Sequence, residues 1–351
     1  MSQPAPALTH QIGAGGSVSF NDAEAEVECA ADETILFAGL RAGLALPYEC
    51  ASGGCGTCRA RLVAGQAANR WPGATGLSER DRRKGDRILM CQSVPDGPCR
   101  LRVPIRDAAP GEPPPARLMG RLAERELLTA DIARFVIDTG RPFPYLPGQF
   151  VQLEFADGVR RAYSMTHPKR RHRQTILELL VRAKPGGAAS SWLFSRLCPG
   201  ADLVVEGPYG RAYAQSHPDR PVVCLAGGTG LAPVLAIAGQ LTAEAPDRAL
   251  RLYVGARRAQ DLVLTDRLAA LADSGVSVVL VTEEECGATH PRLGRIRTGL
   301  ALDHLASDIT DLSGHDIYVA GPTPMIDAAL RRLVRDGTAS ADQIFFDRFI
   351  V

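Results

Sequence analysis

Four cysteines offer the most specific chemistry in this chain. Cys50-Ala-Ser-Gly-Gly-Cys55-Gly-Thr-Cys58 is followed, after 32 intervening residues, by Cys91. This C-x4-C-x2-C…C pattern presents four thiolates at the spacing used around a [2Fe-2S] cluster. A loop closing on two irons has to turn sharply and aim backbone N–H groups at the sulfurs, and Gly53, Gly54 and Gly56 permit that approach. A structural zinc ion is the alternative, but zinc sites more often draw on two C-x2-C pairs. Cys50, Cys55, Cys58 and Cys91 are therefore the expected metal ligands. The other five cysteines, Cys29, Cys99, Cys198, Cys224 and Cys286, are scattered and read as buried small residues or idle thiols.

Two further groups of residues suit phosphate-bearing cofactors. Arg161-Ala162-Tyr163-Ser164 follows Pro147-Gly148-Gln149-Phe150, and a helix start at Gly186-Gly187-Ala188-Ala189-Ser190-Ser191-Trp192 comes later, then Gly207-Pro208-Tyr209-Gly210. Arg161 suits a phosphate. The ring of Tyr163 suits a flavin or its ribitol, and Ser164 can hydrogen-bond near the reacting flavin nitrogen. The N–H groups around Gly187, Ala188, Ser190 and Ser191 suit a pyrophosphate. Taken alone the tetrapeptide fits any exposed strand. Farther on, Ala226-Gly227-Gly228-Thr229-Gly230-Leu231-Ala232-Pro233 follows an apolar strand and opens a helix, with glycines for close approach and a helix N-terminus for charge.

In this order and spacing the motifs resemble the ferredoxin–NADP reductase superfamily. Gly228, Thr229, Gly230 and Pro233 match its GGTG-x-x-P turn. Tyr318-Val319-Ala320-Gly321-Pro322-Thr323-Pro324-Met325 resembles its segment beside the nicotinamide, which implicates Gly321, Pro322 and Met325. Ala320 stands where many relatives carry Cys, so that sulfur contact is absent. Relatives often end with an acidic residue and an aromatic near the flavin, and Asp347 and Phe349 are the candidates. Leu46-Pro47-Tyr48-Glu49-Cys50 resembles the entry to the cluster loop of plant-type ferredoxins. The resemblance spans residues 17 to 351. It implies a one-chain reductase of bacterial ring-hydroxylating dioxygenases or multicomponent monooxygenases, with FAD (FMN being the lesser alternative), a [2Fe-2S] cluster and NADH. Ser164, Tyr163 and Phe349 would flank the hydride transfer. The implied partner is a terminal oxygenase, or its ferredoxin or hydroxylase component. A reductase for a deoxysugar dehydrase or other biosynthetic acceptor would use the same modules, and a slow redox sensor is a third reading.

Specificity for NADH is expected from the strand ends of the nucleotide domain. The second strand ends at Arg257-Arg258 and the third at Glu283-Glu284-Glu285. A 2′-phosphate would meet that acidic run, whereas Glu283 can accept from ribose hydroxyls. Arg257 and Arg258 argue the other way.

The elements that must position these residues follow from periodicity. Residues 17–104 read as a small α+β, β-grasp-like ferredoxin domain, with Asp32 expected to cap its helix. Residues 105–117 read as a Pro-rich linker. Residues 118–214 carry expected strands at 149–155, 161–166, 176–182 and 202–206 and a helix near 190–197, which suits an antiparallel FAD barrel. Residues 215–351 alternate apolar strands (222–226, 251–255, 276–282, 317–320) with helices, as an α/β doubly wound NAD domain does.

Composition narrows the class. The 351 residues are 45% hydrophobic with net charge +1, which fits folded domains and argues against nucleic-acid binding. The N-terminus has no secretory pattern and no apolar run suits a membrane span, so a cytoplasmic monomer is expected. The basic run Lys169-Arg170-Arg171-His172-Arg173 reads as a solvated turn or a steering patch. The seven histidines show no ligand spacing.

Overall fold

The computed structural model describes residues 13–22, 25–105, 111–154, 160–168, 175–214, 219–335 and 337–349. The start of the tail, part of the linker, the basic run at 169–173 and the last two residues lie outside these. The chain divides into two compact units, Met1–Ala116 and Arg117–Val351.

The first unit contains β1 (Gly16–Phe20), β2 (Ala25–Cys29), α1 (Ile35–Arg41), β3 (Arg59–Ala64), β4 (Ala67–Asn69), α2 (Glu79–Lys84), β5 (Arg87–Leu89), β6 (Ser93–Pro95) and β7 (Cys99–Arg102). Its sheet runs β2-β1-β7-β3-β5, and β4 pairs with β6 apart from it. Strand alternation turns Val18, Phe20, Val27 and Leu101 inward. α1 adds Ile35, Leu36, Phe37 and Ala38 to the same core. Burying each large side chain is worth roughly 2 kcal/mol. Asp32 is not the helix cap: the Thr34 hydroxyl accepts from the Phe37 N–H at 3.3 Å, because Asp32 lies too far upstream of the first turn.

The second unit opens with β8 (Ala116–Leu127), β9 (Ile132–Asp138), β10 (Phe150–Glu154), β11 (Arg160–Ser164), β12 (Ile176–Arg182), α3 (Ala188–Ser195) and β13 (Asp202–Tyr209). Six strands form a sheet in the order β11-β10-β13-β8-β9-β12. Its edges nearly meet, through a Met165–Leu179 bridge and a 3.0 Å bond from the Thr166 N–H to the Glu178 carbonyl. Phe135, Val151, Leu153, Leu179 and Leu193 fill the barrel.

The rest is α/β: β14 (Val222–Gly227), α4 (Leu231–Glu244), β15 (Leu250–Ala256), α5 (Thr265–Asp273), β16 (Ser277–Thr282), the small pair β17 (Thr289–His290) and β18 (Gly294–Arg295), β19 (Arg297–Thr298), α6 (Ala301–Asp308), β20 (Asp316–Pro322), α7 (Thr323–Leu330) and β21 (Ile344–Phe349). The main sheet is parallel, β19-β16-β15-β14-β20-β21. α4 and α5 pack on one face and α6 and α7 on the other. The order therefore reverses direction between β14 and β20, the switch point at whose carboxyl ends sheets of this kind bind their ligands. Among the described residues no helix is long and apolar enough to cross a membrane.

Candidate functional site

The cysteine loop is built by backbone that only glycine follows easily: Gly53 and Gly56 have φ of 90° and 79°. A Cβ on Gly56 would come within 2.5 Å of the Gly76 carbonyl, so the loop lies tight against residues 74–76. The Ser52 N–H donates to Cys50 Sγ at 3.4 Å and the Thr57 N–H to Cys55 Sγ at 3.5 Å. The thiols fall into two pairs. Cys58 Sγ and Cys91 Sγ stand 3.2 Å apart, and Cys50 and Cys55 are close enough to pull each other's thiol pKa in opposite directions, Cys50 down and Cys55 up. Two pairs of thiolates are what two irons require, which fits a [2Fe-2S] cluster rather than zinc. The bond to Cys58, burial, and the like charges of Cys58, Cys50 and Cys55 push the Cys91 thiol well up, and bound cations would relieve that penalty. Cys50, Cys58 and Cys91 are buried, while Cys55 is half-exposed. Outside the site, Cys29 and Cys224 are pushed up to about 12 by burial and are inert.

The flavin strand β11 separates two neighbouring arginines. Arg160 is half-buried and pairs with Glu206 at 2.9 Å and Glu154 at 2.6 Å. Arg161 is exposed and its guanidinium donates to the Arg160 carbonyl at 2.7 Å. Ala162 is exposed, Tyr163 half-buried against the barrel core and Ser164 buried. Burial pushes the Tyr163 phenol up, so it stays neutral. Gly187 caps α3 without a side-chain bond, which leaves the N–H groups of the first turn without helical acceptors. The Ser190 side chain has a task separate from its N–H. Its hydroxyl accepts from the Lys184 N–H at 2.9 Å and faces the Lys184 and Gly187 carbonyls, so it ties the turn together. Ser191 is exposed beside it.

These surroundings predict different fates for the two arginines. Arg161→Ala should lower FAD retained after desalting without lowering Tm. Arg160→Ala strands Glu206 and should cost about 3 kcal/mol of stability. Flavin titration and calorimetry on both variants check this, and equal flavin loss from equal unfolding would contradict it.

The nicotinamide loops are interlocked. Gly228 has φ 56° and open space above it, with Arg182 Nη1 3.6 Å from where its Cβ would stand. Gly230 serves packing: its Cβ would fall 2.1 Å from the Ala320 carbonyl oxygen. The Met325 thioether rests on Gly227 and Gly321, where added Cβ atoms would approach it to 2.5 and 2.7 Å. Thr229 is half-buried and Pro233 is buried in the first turn of α4. The exposed Pro322 lies opposite Phe349 in the sheet, whose carbonyl accepts from the Thr323 hydroxyl at 3.1 Å. At the far strand ends, Arg257 Nε pairs with Glu284 at 3.1 Å while Glu283 stays exposed.

Three sets of contacts come together only in the fold. Ser164 donates to the Asp347 carboxylate at 2.5 Å, and Asp347 is the register partner of Ala320. Arg182 ends a barrel strand above the glycine turn, beside Asp131 at 3.2 Å. Glu178, only 3% exposed, gathers Thr166, Arg134 and a bidentate Arg267 from α5. Ser164 and the chain-end acid are both candidates in the sequence; the bond between them is not visible there.

Comparison with known proteins gives three family matches: a 2Fe-2S iron-sulfur cluster binding domain at residues 18–96, an oxidoreductase FAD-binding domain at 119–213 and an oxidoreductase NAD-binding domain at 224–331. The chain is 44% identical over 322 residues, 92% of its own length and 97% of the relative's, to the ferredoxin–NAD(+) reductase component of the alkene monooxygenase system of Xanthobacter autotrophicus. It is 33% identical to the reductase component of the naphthalene 1,2-dioxygenase system of Pseudomonas putida, over 88% of this chain and 90% of that one. The solved ferredoxin reductase in carbazole 1,9a-dioxygenase superposes with a TM-score of 0.86 at 32% identity, covering 95% of this chain and 99% of the other.

Proposed function

Because this chain belongs to the ferredoxin–NAD(P)(+) reductase components of oxygenase systems, we propose that it delivers electrons from NADH, one at a time, to a terminal oxygenase or to that oxygenase's ferredoxin or hydroxylase component. FAD and a [2Fe-2S] cluster, when bound, supply the change from a two-electron hydride to single electrons. The protein's task is to hold the reacting groups together. The observation that carries the reading is the bond between Ser164, on the flavin strand, and Asp347, beside Ala320 in the nicotinamide loop. It joins the hydride-accepting and hydride-donating halves within one compact unit. Arg161 and the first turn of α3 would hold the FAD phosphates. Gly228, Thr229 and Arg182 would hold the dinucleotide, Pro322 and Phe349 would line the nicotinamide side, and Cys50, Cys55, Cys58 and Cys91 would bind the irons. We assign residues 17–104, 118–214 and 215–351 to the three domains. The nine free thiols suit a cytoplasmic chain, and we take it to act as a monomer.

Anaerobic rapid mixing with NADH tests the function. Flavin absorbance should bleach first and cluster absorbance next, and the reduced chain should then reduce cytochrome c. Flavin bleaching with the cluster left oxidised would overturn the reading.

The strand ends favour NADH. Arg257, the cation best placed for a 2′-phosphate, is already held by Glu284, and Glu283 and Glu285 leave the rim acidic. A phosphate there meets like charge worth about 1 kcal/mol after screening, roughly a fivefold effect on kcat/KM. NADH should therefore be preferred, and Glu283→Ser should narrow the ratio. Measured preference for NADPH, or a ratio that the substitution leaves unmoved, would remove the assignment.

A further inference from the structure

On the solvent side of the sheet in the first unit, three adjacent strands carry only one kind of charge. Arg59 and Arg61 on β3 and Arg100 and Arg102 on β7 alternate with buried or half-buried residues and point outward. The register places Arg61 opposite Arg102 on one side and opposite Arg87 of β5 on the other. Directly opposed residues share a face, so Arg102, Arg61 and Arg87 form a row across three strands. Like charges in that position destabilise a sheet. Three carboxylates outside the strands compensate in part: Asp81 of α2 with Arg59 at 3.0 Å, Asp86 with Arg61 at 3.0 Å and Asp22 with Arg102 at 2.9 Å. Arg87 and Arg100 have no acidic partner among the described residues. The acidic groups of this sheet, Glu26 and Glu28, stand on β2 at its far edge.

The row also has a position. β3 leaves directly from Cys58, and β5 ends at Leu89, two residues before Cys91. The charged face thus lies on the two strands that carry the buried thiol pair. α2 extends it with Arg80, Arg83 and Lys84, all exposed, and the Arg59–Asp81 pair fastens that helix to the cysteine loop.

We propose that this arginine face is the docking surface for the electron acceptor, and that the acceptor presents a carboxylate-rich face to it. The inference rests on the electron-delivery reading above and adds which surface is used and what chemistry fits it. A solvated sheet face gains nothing from an arginine row that repels itself. A protein partner bearing carboxylates turns the repulsion into attraction and draws its redox centre to the cluster end of the unit.

The test uses the full chain with FAD and cluster in place and two one-electron acceptors of opposite charge. Cytochrome b5 has a haem edge ringed by carboxylates, and cytochrome c has one ringed by lysines. Reduction of cytochrome b5 should slow as salt is raised, while reduction of cytochrome c should quicken. The double substitution Arg87→Thr with Arg100→Thr removes no ion pair among the described residues and introduces a good strand former. It should cut the low-salt rate with cytochrome b5 about fivefold or more and raise that with cytochrome c. Tm should hold or rise, a result that separates docking from a structural role. NADH-driven bleaching of the cluster, measured without acceptor, should keep its rate. Equal salt responses for both acceptors, or an unchanged cytochrome b5 rate in the variant, would overturn the proposal. So would slowed bleaching, because the face would then serve the chain's own flavin-bearing unit. A parent chain whose cluster NADH fails to bleach would overturn the electron-delivery reading itself, and is told apart by that single measurement.

Discussion

The Cys55→Ser chain will purify yellow rather than brown, with its FAD retained and its iron gone. Cys55 is the half-exposed member of the four thiols and forms one pair with Cys50. A serine hydroxyl stays protonated where a thiolate is needed, so one iron loses a ligand and the paired geometry fails. Even changes outside the ligand shell cost metal sites about ten- to a hundredfold, and loss of a ligand should cost more. Reduction of cytochrome c by NADH should fall roughly a hundredfold or further. NADH-dependent reduction of ferricyanide should persist, because the flavin and nicotinamide residues belong to the other compact unit. Iron analysis, flavin content and the two activities together check this. A colourless parent containing zinc, or a variant that keeps full cytochrome c activity, would contradict it.

The second large effect is on stability and carries a pH signature. Glu178 is held at about 2, against an ordinary 4.5: burial alone would raise it, and Arg267, Thr166, the nearby His167 and Arg134 outweigh burial. The sign follows from linkage. A carboxyl whose folded pKa is depressed contributes fully above its unfolded value and loses that contribution as pH falls through the folded one. The window runs from 4.5 down to about 2. The shift corresponds to at most about 3 kcal/mol, and the partial exposure of Arg267 reduces it. Glu178→Gln should lower Tm at pH 7 by about 5 °C. The variant should also lose part of the acid sensitivity the parent shows below pH 4.5. Arg267 lies on α5 and Glu178 in the barrel, so NADH-driven flavin reduction should slow along with the loss of Tm. A variant with unchanged Tm and an unchanged acid transition would show that the cluster of charges is decorative.

Local signals explain what was legible beforehand. Cysteine spacing does not depend on the fold, so the iron ligands could be read directly. The strand at 176–182 was visible as a short, nearly continuous apolar run, and the alternation of strands and helices after 221 because buried parallel strands are such runs as well. The helix cap was misplaced by two residues, since Asp32 and Thr34 are both good cap types and only the backbone decides between them. The motif points to the N–H groups around Ser190 and says nothing of its hydroxyl, which closes the Lys184–Gly187 turn. Glu178 and Arg267 are 89 residues apart, and nothing in either neighbourhood marks them as a pair. The arginine row was equally hidden, because a row across strands exists only once the register is known.

The contact of Gly230 with the Ala320 carbonyl has a consequence for how this protein can change over generations. A side chain at 230 has nowhere to go unless the strand carrying Ala320 retreats. That strand also carries Gly321 and is neighbour to the one holding Asp347. Mutations in the two loops are therefore bound to be judged together by selection. Restoring a cysteine at 320, or altering coenzyme fit at the glycine turn, calls for matched steps at both loops. Laboratory libraries that randomise 227–230 and 320–325 jointly should yield active variants that single-site libraries miss.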